Sequence, residues 1–168
     1  MRQIKFNQRT ALRAKSLGAL GELLALKALV DNGFNNIINL NDKKRNFPYA
    51  DLYAERGDEK YVINVKARNR YDRTGRLNSR YNLGSDSKIK ANKAEILFNA
   101  KAAWLAISIF DDIYSIYFGT LESLTTKTGI PIGEAHFQRY ECLVVEKQHG
   151  LDFRPYKNIY EEDVEQGV

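Results

Sequence analysis

Residues 47–68 read FPYADLYAERGDEKYVINVKAR, two alternating runs rich in Tyr, Val and Ile that meet at the polar pair Gly57-Asp58. Period-two alternation about a Gly-containing polar pair specifies an antiparallel hairpin. With Gly57-Asp58 as its two-residue turn, Asp51 on the first strand falls opposite Asn64 on the second and diagonal to Lys66. Val62, Asn64 and Lys66 then share one face, and Tyr61, Ile63 and Val65 share the other. Three polar groups converge on one face of an otherwise apolar hairpin, which calls for a chemical reason.

The rest of the chain must supply the layers that bury such a hairpin. At 168 residues a single domain is expected, with hydrophobic residues at 43% and charged residues at 28%, ordinary globular usage. No apolar run approaches the ~20 residues that span a bilayer. The opening MRQIKFNQR lacks a secretory apolar core, so a soluble cytoplasmic protein with no membrane partner is expected. Residues 10–31 are dense in Ala and Leu and end before Gly33, which predicts a long helix with most of its circumference buried. Residues 36–41, 49–55 and 59–67 read as strands, 68–83 as an exposed polar loop, 87–101 as a helix, and 104–110 and 113–119 as a strand pair broken at Asp111-Asp112. After these come a short helix at LESLTTKTG and a last strand in HFQRYECLVVE. Cys142 in that strand is expected to be a buried structural thiol. One cysteine with His136 and His149 makes no zinc site without carboxylates.

Charge is uneven. The net value is +5, yet residues 66–93 hold nine Lys or Arg against two acids, and residues 1–15 hold five bases and no acid. From Glu141 onward seven acids face three bases. A basic start and middle with an acidic tail points to a polyanionic partner.

The long helix adds a fourth polar group to the three on the hairpin. Glu22 has Gly18, Ala19, Ala25 and Leu26 at helical spacing, so its carboxylate sits in a mostly apolar stripe and needs a cation, a donor network or water. Phosphodiester hydrolysis gives these groups a use. A Mg²⁺ or Mn²⁺ ion takes oxygen ligands, often one or two carboxylates with waters and the substrate phosphate. Glu22 and Asp51 are the candidate ligands, completed by the Asn64 side-chain oxygen and the Val65 carbonyl. Lys66 would orient water and offset charge on the phosphorane.

The string GALGELLALKAL, a strand, PYAD, and then INVK, in the order αβββαβ, resembles the PD-(D/E)XK nuclease superfamily. The likeness is to the archaeal Holliday junction resolvase and restriction-endonuclease-like branch, and it covers residues 15–120. It implies an α/β fold with a central mixed β-sheet flanked by helices, with Glu22 as the helical acid, Asp51 as a metal ligand and Lys66 as the catalytic lysine. Where the pattern has Asp or Glu two residues before the lysine, this chain has Asn64. The core is expected over about residues 10–120, with 121–168 as a C-terminal extension packed on it and ending in an acidic tail. Nucleases of this kind are often homodimers.

The loop beyond Lys66 places Arg68, Arg70, Arg73, Arg76 and Arg80 among Tyr71, Tyr81 and three Asn, a composition that grips phosphates and stacks on bases. Lys90 and Lys93 on the following helix are further DNA-binding candidates. Trp104, Phe110, Tyr114, Tyr117 and Phe118 lie on expected strands and are assigned to the core. GxGxxG, GxxxxGK[ST] and GxSxG strings are absent, which leaves dinucleotide, P-loop and serine-hydrolase chemistry without their motifs. Three functions follow: a Mg²⁺-dependent DNA endonuclease of junction-resolving, repair or defence type; a nuclease-fold DNA-binding protein weakened or inactivated through Asn64; and an assembly subunit that binds an acidic partner.

Overall fold

The computed structural model describes residues 6–43 and 47–149; the acidic tail expected beyond them lies outside the described residues. Helix α1 (Phe6–Asp31) is followed by β1 (Asn35–Asn39), the one-turn α2 (Leu40–Lys43) and the hairpin β2 (Leu52–Arg56) and β3 (Glu59–Asn69). Then come β4 (Arg80–Asn82), α3 (Ser87–Phe98), β5 (Lys101–Phe110) and β6 (Ile113–Thr120). A 3₁₀ turn at Leu121–Ser123, β7 (Gly129–Pro131), α4 (Glu134–Phe137) and β8 (Glu141–Gln148) complete the order.

Six strands form one mixed sheet in the order β1-β2-β3-β5-β6-β8, in which only the β3–β5 pair is parallel. Parallel neighbours need a crossover connection, and α3 supplies it. Strand alternation sorts the core into two layers. Ile63, Ala67, Leu105 and Ile107 face α1, where Leu20, Leu24, Ala25, Ala28 and Leu29 pack on them. Val62, Trp104 and Ala106 face the opposite way, toward Ala91 and Ala94 of α3. Helices thus cover both faces of the central sheet.

The hairpin turn falls at Gly57-Asp58, with Arg56 paired to Glu59 and Gly57 at φ +60°. Asp51, expected on the first strand, lies just before it. Its amide donates to the Ile63 carbonyl, but β2 starts only at Leu52. One edge of β3 beyond Asn64 is therefore left without a neighbouring strand.

Several sequence expectations need correction. α1 is amphipathic rather than buried most of the way round, because Leu23 and Val30 are 55% and 63% exposed on the side away from the sheet. Residues 68–83 are not simply a loop. β3 runs through Asn69, and β4 pairs with β7 in a second, two-stranded sheet that buries Tyr81. LESLTTKTG holds only the 3₁₀ turn. Cys142 is an exposed free thiol, since β8 is an edge strand with one face open. Phe110 is not core; it is 44% exposed at the end of β5.

Candidate active site

The open edge of β3 and the flank of α1 bound a cleft of about 250 Å³, lined by Glu22, Asp51, Val65, Lys66, Ala67 and Arg68 together with Leu17 and Gly18. Its location follows from three local features. The first is the late start of β2, which lets Asp51 replace a strand neighbour: Asp51 Oδ2 accepts the Val65 amide at 2.8 Å, so a carboxylate satisfies the donor that a longer β2 would have paired. The second is Gly21. A Cβ at this position would come 2.6 Å from the Ala67 Cβ, so only glycine lets α1 lie this close to β3 and bring Glu22 to the rim. The third is strand alternation. Lys66 leaves β3 on the face away from α1, yet still lines the cleft because no strand closes that edge.

Asn41 of α2 joins the two acids. Its Nδ2 donates to Glu22 Oε1 at 3.0 Å and, over a longer 3.5 Å, to Asp51 Oδ1. Two carboxylates from distant parts of the chain thus share one amide group, the positive end of a dipole in the position a small cation would favour. Asn41 escaped the sequence reading because it lies ten residues before Asp51, in an unremarkable polar stretch whose path the hairpin register does not define.

Burial holds the Asp51 carboxyl above its ordinary pKa, opposed by the Val65 amide, Asn41 and then the Lys66 charge. Lys66 is held below its ordinary value, first by burial and then by the Arg68 guanidinium; Asp51 acts in the other direction, and Lys90 adds to the depression. Each group is therefore partly stripped of water and short of a full counter-charge. Perturbed groups of this kind, gathered in a cleft, mark a candidate functional site.

Asn64 is buried and does not line the cleft. Its Nδ2 donates to the Tyr49 carbonyl at 2.6 Å, and its Oδ1 is buried without a hydrogen-bond partner. The amide is suited to this spot because a carboxylate would set two acceptors against each other. The oxygen-bearing groups that line the cleft are thus Glu22, Asp51 and the main chain at Val65. Two carboxylates with a main-chain carbonyl oxygen fit a hard divalent cation such as Mg²⁺ or Mn²⁺ better than zinc.

The basic candidates divide into two groups. Arg68 folds over the cleft and donates to the Ala67 carbonyl at 2.8 Å. Arg73 and Arg76 are exposed on the turn beyond β3, and Lys90 and Lys93 are exposed on α3, where Lys90 also meets Asp86 at 3.3 Å. Arg70 and Arg80 are engaged elsewhere. Arg70 bonds Ser108 Oγ at 3.0 Å and Glu146 at 2.9 Å, tying β3 to β5 and β8. Arg80 donates to Thr126 and Thr128 and packs over Gly129, holding the small sheet together. Tyr81 is 1% exposed, which removes it from any stacking surface.

No family model matches this chain, and no curated protein matches it. Among solved structures it is similar to a Holliday junction resolvase, Hjc, of the archaeal hyperthermophile Archaeoglobus fulgidus, at 20% identity and a TM-score of 0.55, over 74% of this chain and 95% of that one. The mixed sheet flanked by helices is thus of a kind with a resolvase and restriction-endonuclease-like fold.

Proposed function

We propose that this protein is a divalent-metal-dependent endonuclease acting on DNA. The observation that carries this reading is the convergence of Glu22, Asp51 and Lys66 on one cleft, with both carboxylates drawn to the same Asn41 amide. The likeness of the fold to that of a Holliday junction resolvase supports it. A bound Mg²⁺ or Mn²⁺ would neutralise phosphate charge and lower the pKa of water.

The chain's own residues account for the other requirements. Glu22 and Asp51 would hold the cation, and the Val65 amide fixes the Asp51 rotamer. Lys66, half-buried beside them, places a positive charge where the phosphate gains negative charge in the transition state. Arg68 at the rim orients the strand through its phosphates. Arg73, Arg76, Lys90 and Lys93 extend the basic surface and steer a polyanion toward the cleft.

Nicking of supercoiled plasmid in Mg²⁺ or Mn²⁺, abolished by Lys66→Ala, is the expected result. The bond from Asn64 to the Tyr49 carbonyl favours one second reading, a nuclease-fold protein that binds DNA without turnover. Salt-sensitive DNA binding with no metal-dependent nicking would select it.

A further inference from the structure

Three large apolar side chains lie exposed together beyond the end of β3: Tyr71 at 43%, Leu77 at 42% and Phe110 at 44%. Tyr71 and Leu77 bridge each other across the short arm that leaves β3, and the Tyr71 ring stands edge-on to that of Phe110 at 5.4 Å and 83°. We propose that this Tyr71–Phe110 pair is a stacking platform for an unpaired nucleobase of the strand held in the cleft. The proposal rests on the nuclease reading for the cleft and names the class of substrate, nucleic acid with bases out of the duplex stack.

The arm is built to present this surface. Asp72 accepts from the Thr74 amide at 2.8 Å, the Thr74 hydroxyl at 2.6 Å and the Arg76 amide at 3.0 Å, and its own amide donates to the Arg76 carbonyl at 2.8 Å. These bonds close a tight turn and use the arm's one carboxylate internally. Arg73 and Arg76 beside it make no ion pair among the described residues. The result is two aromatic rings with two guanidinium groups free for phosphate, a pairing of π-face and cation that suits single-stranded nucleic acid. Little ordering entropy is lost on binding because the turn already exists.

Continuity with the cleft sets the direction. The Arg70 amide donates to the Ile109 carbonyl, so the arm prolongs the β3–β5 ladder directly past Arg68. Tyr71 lies five positions beyond Lys66, at most about 17 Å of extended chain. A duplex keeps its base faces stacked inside and offers the rings nothing, whereas a flap, fork or branch offers a free base a short step from the phosphate in the cleft.

Binding of the full chain, measured in EDTA so that no strand is cut, tests the idea. The probes are a blunt DNA duplex and the same duplex carrying an unpaired extension. Wild type is expected to favour the extended probe by about tenfold or more. Tyr71→Ala and Phe110→Ala should each reduce that preference about fivefold or more, toward equal binding of the two probes, while leaving blunt-duplex affinity unchanged, and Tyr71→Phe should keep it. Both positions are surface-exposed, and the far-UV circular dichroism of each variant should match that of wild type. Arg73→Ala and Arg76→Ala should weaken both probes alike and lower the salt dependence. Equal binding of the two probes by wild type, loss of both together in the alanine variants, or no DNA binding at all would overturn the platform. Plasmid nicking is read separately. If it fails while the preference for the extended probe holds, the nuclease reading falls and the platform stands; the reverse pattern removes only the platform.

Discussion

Gly21 on α1 lies directly over Ala67 on β3, and the absent side chain of the first is the space occupied by the methyl group of the second. This contact sets the helix-to-strand distance at the cleft and so the reach of Glu22. Gly21→Ala gains up to about 1 kcal/mol of helix propensity. The overpacking against Ala67 costs about 1–3 kcal/mol and prevails. Urea denaturation should show a net loss of stability, recovered in the Gly21→Ala/Ala67→Gly double variant, which restores the space.

Asp51 is expected to be a stability liability in the metal-free protein. Its native pKa lies above the ordinary 3.8 because burial disfavours the charge. The native state is therefore penalised as pH rises through the interval from the unfolded to the native value, with the full penalty above it. Asp51→Asn should raise the melting temperature in EDTA at neutral pH. The difference should vanish below pH 3.8, where the wild-type carboxyl is protonated in both states. The same variant should lose stabilisation by Mn²⁺, which a thermal melt with and without the ion reads directly.

Lys66 loses its proton below the ordinary 10.5, with burial and then Arg68 as the causes. If the ammonium form supports cleavage, the pH–rate profile falls on its alkaline side below that value. Arg68→Gln removes the neighbouring positive charge and should move the alkaline limb upward, even where it also weakens DNA binding. Lys66→Ala should cost about 10²-fold or more in rate. An alkaline limb that stays in place when Arg68 is changed would show that Lys66 is not the group being titrated.

Asn64→Asp removes the donor from the 2.6 Å bond to the Tyr49 carbonyl and leaves two acceptors face to face in a buried site. A loss of about 1–3 kcal/mol is expected in EDTA. Mn²⁺ should restore part of it, because a cation reached by the new carboxylate relieves the repulsion. A deficit of the same size with and without Mn²⁺ would show that position 64 does not reach the ion.

Much of this molecule is legible in local pattern. The turn at Gly57-Asp58, the hairpin register from Leu52–Ile63 to Arg56–Glu59 and the β5–β6 pair all follow from periodicity and turn chemistry, which act between near neighbours; the helix expected over residues 87–101 is present but ends at Phe98, and Lys101 already opens β5. The grouping of Glu22, Asp51 and Lys66 was legible too, through residue types on named elements. Asn41 was not, because its role depends on where α2 packs against residues far off in sequence.

Nor could local pattern separate the arginines. Arg68, Arg70, Arg73, Arg76 and Arg80 are alike in composition, yet the tertiary fold brings Glu146 to Arg70 and two threonines to Arg80, while Arg73 and Arg76 stay in solvent. Phe110 reads as core by its neighbours in β5 and is exposed because the strand outruns the layer that would cover it. Alternation and turns settle which face a side chain takes. What meets it on that face depends on contacts between segments distant in the chain, and those contacts form only when the sheet and helices close on each other.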